Sequence, residues 1–384
     1  MARDTYIFFL SSLLFLGAAY ACNHSQQPEE APPIPVEIYD FGTTLDFSSF
    51  LKVHKIISLS APKQEAFIKD IERLLFADNR IFVMDRSGNK VVMFDGEGSF
   101  LKSTAKMIGR GHNEYLRVID ASIDEKNKKL YVHCDAPYQM MIFDLDLNLE
   151  KIIPMNYYMT EMTVDEEFIY GLCHQTPPVQ GFCLVALEKS HPDMVPDTLL
   201  SFHNVVPGRM TFGKSLTTAQ KGAYVSFPFD THIYKLRQGK ITETYNMDFG
   251  EHGLITHPLP ENITPELFDR YNNGLHWSIV SMSESDSLLL FNTNSFELFV
   301  TDKATRQCKG YKEYYNDLLR FHCGRIIPTQ GLQNGVVFHS QVHNIEETLK
   351  IAKEKGNIPF PNMPEIPRKY NPDSNPLIVV WDIK

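Results

Sequence analysis

Ile81–Lys102 reads IFVMDRSGNKVVMFDGEGSFLK, and Tyr131–Lys151 reads YVHCDAPYQMMIFDLDLNLEK. Laid side by side, Asp85 falls on Asp135 and Phe94-Asp95 on Phe143-Asp144. A unit of roughly fifty residues therefore recurs, long enough for four short strands and so for one blade of a β-propeller. Inside each copy, runs of Val, Ile, Phe and Tyr are broken by Gly, Asn and Asp, which are strand and turn signals.

Working outward, weaker copies run the length of the chain. Leu288–Asn292 leads to Val300-Thr301-Asp302, Ala223–Phe227 leads to His232–Leu236, and Phe168–Cys173 precedes Phe182–Leu187. Val336–His339 and Leu377–Lys384 (LIVVWDIK) make the last set, with Trp381-Asp382 standing where Phe94-Asp95 stood. With the strands of a blade lettered a to d from the inside, this last set stops at c. His54–Leu59 (HKIISL) resembles Glu150–Met155 (EKIIPM), the d strand of the second unit, and can supply the missing strand. The expected fold is all-β, a six-bladed β-propeller whose last blade is closed by an N-terminal strand. Five or seven blades are the alternatives, because the third and fourth units are the least regular.

The 384 residues are 43% hydrophobic, 12% aromatic and 22% charged, the make-up of a chain with a large core. A formal net charge of −10 argues against a nucleic-acid partner, which would require a basic stripe. At the N-terminus, Arg3 precedes the apolar run Tyr6–Leu16, and small residues lead to Ala21-Cys22. That pattern is a secretory signal, too short for a comfortable membrane span. Cys22 after a small residue resembles a bacterial lipobox; the alternative is ordinary cleavage beside an incidental cysteine. The expected organisation is a signal peptide over 1–21, a lipid-anchored tether over 22–35 and a single propeller domain over 36–384. The other cysteines, Cys134, Cys173, Cys183, Cys308 and Cys323, are scattered and odd in number, which is not a disulfide framework. Cys173 and Cys183 flank a loop and either pair across a hairpin or serve as small buried hydrophobes.

Three stretches carry a family resemblance. Ile108–Tyr115 (IGRGHNEY) with the blade after it, Asp230–Gly250 (DTHIYKLRQGKITETYNMDFG) and the terminal Asn375-Pro376-Leu377 resemble the six-bladed β-propeller lipoproteins of Bacteroidetes, which are similar in turn to NHL-repeat propellers. The likeness spans about Val53 to Lys384 and departs at His112-Asn113, where that family more often carries Pro-Gly. It implies the fold and a cell-envelope location, periplasmic or anchored at the outer membrane. It transfers no reaction and no catalytic residue.

Antiparallel strands put every b–c loop and every d–a link on one face, and the a–b and c–d turns on the other. The first set is long: Lys106–Arg117, His203–Lys214, Glu251–Gly274, Tyr311–Cys323 and Gln341–Pro376. The second set, including Gly96–Gly98 and Arg237–Lys240, is mostly short. Long loops on a rigid scaffold are where binding concentrates. Thr264-Pro265-Glu266 and Asn344–Gly356 carry helix-start signals, so these insertions either form a partial lid or plug the mouth of the ring.

Asp85, Asp135, Asp230, Asn292 and His339 fall near the ends of b strands and would ring that long-loop face. Such oxygen-rich rings bind cations or polar ligands, whereas turn chemistry gives Asp and Asn the humbler task of accepting backbone N–H groups. In Gly109–Tyr115, the residues Arg110, His112 and Glu114 could meet a carboxylate or sugar; the two glycines equally suit a tight turn. His339 and His343 lack any HExxH companion, no GxSxG elbow occurs, and no catalytic residue or metal site is assigned. The leading functional expectation is a non-catalytic binding or scaffold protein of the envelope, taking a glycan, peptide or protein partner and needing no cofactor. The runner-up is a hydrolase or lyase with a divalent cation in the axial funnel; three or more convergent carboxylate, His or Asn side chains there would favour it.

Overall fold

The structure, a computed structural model, describes residues 31–174, 182–191, 196–202, 213–253, 275–295, 297–318, 323–340 and 375–384. The signal peptide, Cys22, the insertion 341–374 and both expected helices lie outside these residues. Every regular element longer than a 3-10 turn in the described chain is a β-strand, as the alternating apolar runs require.

Two strands, β1 (Pro33–Asp46) and β2 (Leu51–Ser58), precede a series of antiparallel four-stranded meanders. The first contains β3 (Arg73–Ala77), β4 (Arg80–Asp85), β5 (Lys90–Asp95) and β6 (Phe100–Ser103). Next come β7 (Arg117–Asp124), β8 (Lys129–Asp135), β9 (Gln139–Asp144) and β10 (Leu149–Pro154), then β11 (Glu161–Val164), β12 (Phe168–His174), β13 (Phe182–Glu188) and β14 (Asp197–Phe202). A further meander is β15 (Leu216–Ala219), β16 (Gly222–Ser226), β17 (His232–Arg237) and β18 (Lys240–Asp248). It is followed by β19 (Ile279–Glu284), β20 (Leu288–Thr293), β21 (Leu298–Asp302) and β22 (Gln307–Tyr315). The last combines β23 (Cys323–Ile327), β25 (Gly335–Ser340) and β26 (Leu377–Ile383), with the short β24 (Thr329–Gln330) after β23.

The first strands β3, β7, β11, β15, β19 and β23 stand beside one another in chain order. Their circle closes where β24 runs parallel to β3, pairing Thr329 with Leu74 and Gln330 with Leu75. The arrangement is propeller-like: sheets radiate from a common axis, and the apolar core is a set of layers between neighbours. One layer packs Phe82, Met84 and Val91 of the first meander on Ala121, Val132 and Phe143 of the second. Another packs Tyr170, Leu184 and Leu200 on Val225, Phe227 and Leu236.

The N-terminal segment does more than close the last sheet. β2 pairs antiparallel with β26, Leu51 opposite Ile383 and Ser58 opposite Leu377, which completes the meander that lacks its outer strand. Before that, β1 runs between the outer strands of two earlier meanders. Pro33–Pro35 pair in parallel with Asn246–Asp248 of β18, and Val36 to Asp46 pair in parallel with β22 from Cys308 to Tyr315. Ordered strand therefore begins before residue 36, inside the stretch that composition assigned to the tether. Phe47 follows β1 and is fully buried, its ring 5.1 Å from Phe338 and 5.4 Å from Trp381. Cys173 and Cys183 face each other across β12 and β13 as free, buried thiols.

This topology makes truncation graded. A chain starting at residue 31 should melt with the full-length protein. One starting at residue 47, which leaves the edges of β18 and β22 unpaired, should melt on the order of 5–10 °C lower. One starting at residue 59 should lose cooperative unfolding. Equal calorimetric midpoints for all three would contradict the belt-and-closure arrangement.

Candidate functional site

First strands begin, and second strands end, at the long-loop end of the ring. Asp85 and Asp135 close β4 and β8, Asn292 and His339 lie near the ends of β20 and β25, and Asp230 follows β16. The end is shared, but no common ligand shell forms, because most of these groups are engaged locally. Buried Asp85 accepts N–H groups from Gly88 at 2.7 Å, Lys69 at 3.1 Å and Asp70 at 3.2 Å. Asp135 is ion-paired with Arg117. Asp230 accepts from the Tyr234 hydroxyl at 2.9 Å and contacts His232 Nδ1 at 2.6 Å. Asn292 ties two meanders together, accepting from Ile326 N at 2.7 Å and donating to Glu297 O at 3.0 Å. His339 is held neutral, its pKa pushed down to about 4 by burial and by neighbouring Arg325.

The loop 109–115 is a tight turn. Gly109 N donates to Tyr115 O at 2.9 Å, and Glu114 Oε2 accepts from Gly111 N at 2.6 Å. A Cβ on Gly109 would lie 2.1 Å from that same carboxylate oxygen, so a larger residue would push Glu114 out of this turn. Glu114 is thus spent on the turn and is no acid–base partner for His112. Arg110 and His112 are exposed, with no ion pair among the described residues.

The densest polar cluster is one the repeat did not reveal. Arg73, first in β3, meets Asp120 of β7 through two bonds of 3.0 and 3.1 Å, both side chains fully buried. Asp120 Oδ2 also accepts from Met162 N of β11 at 2.8 Å and from Lys214 Nζ at 3.3 Å. Lys214 reaches Glu72 at 3.4 Å, and Glu72 takes Arg86 at 3.3 Å. Glu161 Oε2 accepts from Leu216 N at 2.7 Å, joining β11 to β15, and Ser281 N of β19 donates to Lys214 O at 2.8 Å. A second tier lies below: Gln330 accepts from Ser122 Oγ at 2.9 Å and Ile123 N at 2.8 Å, and Thr163 bonds Thr218 at 2.8 Å. The available signal was alternation within apolar runs, as in Asp120-Ala121-Ser122 and Glu161-Met162-Thr163.

Burial pushes the Asp120 carboxyl up, but Arg73, Lys214 and two backbone N–H bonds more than offset it and hold it ionised. Glu161 has weaker support, and burial raises its pKa to about 7. Three carboxylates, Glu72, Asp120 and Glu161, therefore converge on Lys214, the pattern expected to favour an enzyme. Yet Asp120 and Glu161 are sealed from solvent and bonded to backbone. No trio of His, Cys, Asp or Glu among the described residues is arranged to hold a metal ion. Toward solvent at the same end, Asp70, Glu297, Lys312, Arg325 and His339 line a cavity of about 760 Å³. The opposite mouth carries cavities of about 300 and 410 Å³ around Glu125, Gln220, Lys221 and Gln330.

Together, the fold and this site define an all-β, propeller-like protein with an ion-paired axis. Residues 33–382 match the family model DUF4934, a domain of unknown function, and the chain belongs to that family. Among solved structures it is similar to BF0058 of Bacteroides fragilis, a protein whose name describes it as exported. The TM-score is 0.65 at 14% identity, over 92% of this chain and 100% of that one. BamB of Moraxella catarrhalis aligns less fully (TM-score 0.39, 11% identity, 75% and 72% of the two chains). So does the C-terminal WD40 domain of Sif2 (0.36, 9%, 62% and 56%). No curated protein is detectably similar in sequence.

Two measurements test the axis. Asp120→Ala leaves the buried Arg73 without its carboxylate and should cost about 3–5 kcal/mol in denaturant unfolding. For Glu161, the raised folded pKa means its contribution is full below about pH 4.5 and is lost as pH rises toward 7. Glu161→Gln should match the wild type near pH 4.5 and exceed it by on the order of 3 kcal/mol at pH 7 and above. A pH-independent difference would remove the assigned titration.

Proposed function

We propose that the chain is an exported six-bladed β-propeller, held to the cell envelope through acylated Cys22, that acts as a non-catalytic binding or scaffold protein. The meanders number six when β2 is counted as the outer strand of the last, and this supports the blade count. The observation that carries the functional reading is the axial ion cluster. It fills the place where a funnel reaction would run, and its acids are committed to holding neighbouring blades together. The larger cavity and the exposed Arg110 both lie at the long-loop end, which favours that end for a glycan, peptide or protein partner.

Cys22→Ser should move the protein from the membrane to the soluble fraction; unchanged detergent partitioning would remove the anchor. The binding end can be mapped in intact cells with a photo-crosslinking residue. Placed at Arg110 it should capture a partner, and placed at Gln238, in a short turn, it should not. The reverse pattern would overturn the assignment of the end.

A further inference from the structure

Beside the 109–115 loop, two tyrosines lie on surface that the ion pairs leave open. Tyr138 sits in the turn between β8 and β9, and Tyr158 in the link from β10 to β11, both at the long-loop end. Their ring centroids are 5.3 Å apart, and Tyr138 is 49% exposed. Neither hydroxyl has a hydrogen-bond partner among the described residues. The buried ring of His133 backs Tyr158 at 6.0 Å and is held neutral, its pKa lowered to about 4 chiefly by burial. Arg86, Arg117 and Asp135 are the charged groups around Tyr158. Gln139, next to Tyr138, donates to Glu114 O at 3.0 Å, which ties the 109–115 loop to the start of β9.

We propose that Tyr138, backed by the tilted ring of Tyr158, is the stacking platform of a carbohydrate subsite, with Arg117, its charge balanced by Asp135, donating to hydroxyls of a neutral pyranose. This rests on the proposed long-loop binding end and gives it a ligand class. The C–H face of a pyranose packs on the electron-rich face of an aromatic ring, and tyrosine adds a polar tip for its hydroxyls. Each tyrosine has few rotatable bonds to order, and Tyr158 is half-buried beside His133. The Arg117 side chain is 63% exposed, while its partner Asp135 is only 7% exposed, so the pair presents guanidinium donors whose charge is balanced from beneath. The Arg117 charge is already balanced by Asp135, which disfavours acidic rings. An extended peptide has no edge to extend here, because β8 and β9 are both interior to the order β10-β9-β8-β7.

The test uses the full-length chain carrying Cys22→Ser and immobilised neutral hexose oligosaccharides, with uronate oligosaccharides and tyrosine-rich peptides as comparison arms. A neutral oligosaccharide should bind with a millimolar or tighter Kd. Tyr138→Ala should weaken it by about tenfold or more, and Tyr138→Phe should stay within about threefold. Circular dichroism should show both variants folded, since Tyr138 lies outside the core. Absence of neutral-sugar binding, or binding confined to uronates or peptides, overturns the subsite. Sugar binding that ignores Tyr138→Ala but falls with Arg110→Ala overturns the platform and leaves the long-loop reading standing. Sugar binding lost only through substitutions at Arg237–Lys240 overturns both.

Discussion

A radial array of sheets has one unavoidable weakness: it must be closed on itself, or it ends in two bare strand edges. Here closure is made twice, at different radii. Near the axis, β24 lies parallel to β3, and Leu74 N donates to Pro328 O at 3.1 Å. At the rim, β2 docks on β26 over seven register pairs that run from Leu51 to Ser58. The rest of the structure depends on these seams, because each interblade core layer needs both of its walls. The layer holding Phe47, Phe338 and Trp381 is assembled from the two extremes of the chain.

The axis solves a different problem. First strands crowd together there, and the polar side chains Arg73, Asp120, Glu161 and Lys214 are buried. A buried Arg–Asp pair is a poor source of net stability, since desolvation cancels much of the attraction. Its value lies in direction. Asp120 is bonded at once to Arg73, Lys214, Met162 N and Ala121 N, so one carboxylate fixes the spacing of four consecutive blades. A purely apolar axis would pack without specifying which strand sits where. Glu161 is the least compensated member, and it is also the one whose charge burial opposes most clearly.

What could be read from the sequence followed from what repeats. Asp85 and Asp135, with Phe94 and Phe143, recur because each sits at the same place in a four-stranded sheet, and the pairing of β2 with β26 was legible as a missing strand. The ion cluster was not, because its members come from different meanders and each occurs once; Arg73 and Asp120 are 47 residues apart and Lys214 and Asp120 are 94. β1 escaped for another reason. Parallel pairing leaves no hairpin signal, and Pro33 and Pro35 make its start resemble a linker. The b-strand ends share one end of the sheets, yet they form no ring: Asp85 and Asp230 accept turn N–H groups, Asp135 pairs with Arg117, and Asn292 joins two meanders. The tyrosine platform lies in a turn and a link, where periodicity says nothing.

The belt formed by β1 and β2 has a consequence for the life history of the molecule. These residues are synthesised first, but their partners in β22 and β26 come near the end; His54 and Asp382 touch across 328 positions. Contacts of such long range slow folding, since the chain must be complete before the seam can form. The segment from β1 to β2 therefore waits for most of its partners while the polypeptide is being made. The ring cannot close before β26 has been made, and the last strand to arrive is the latch.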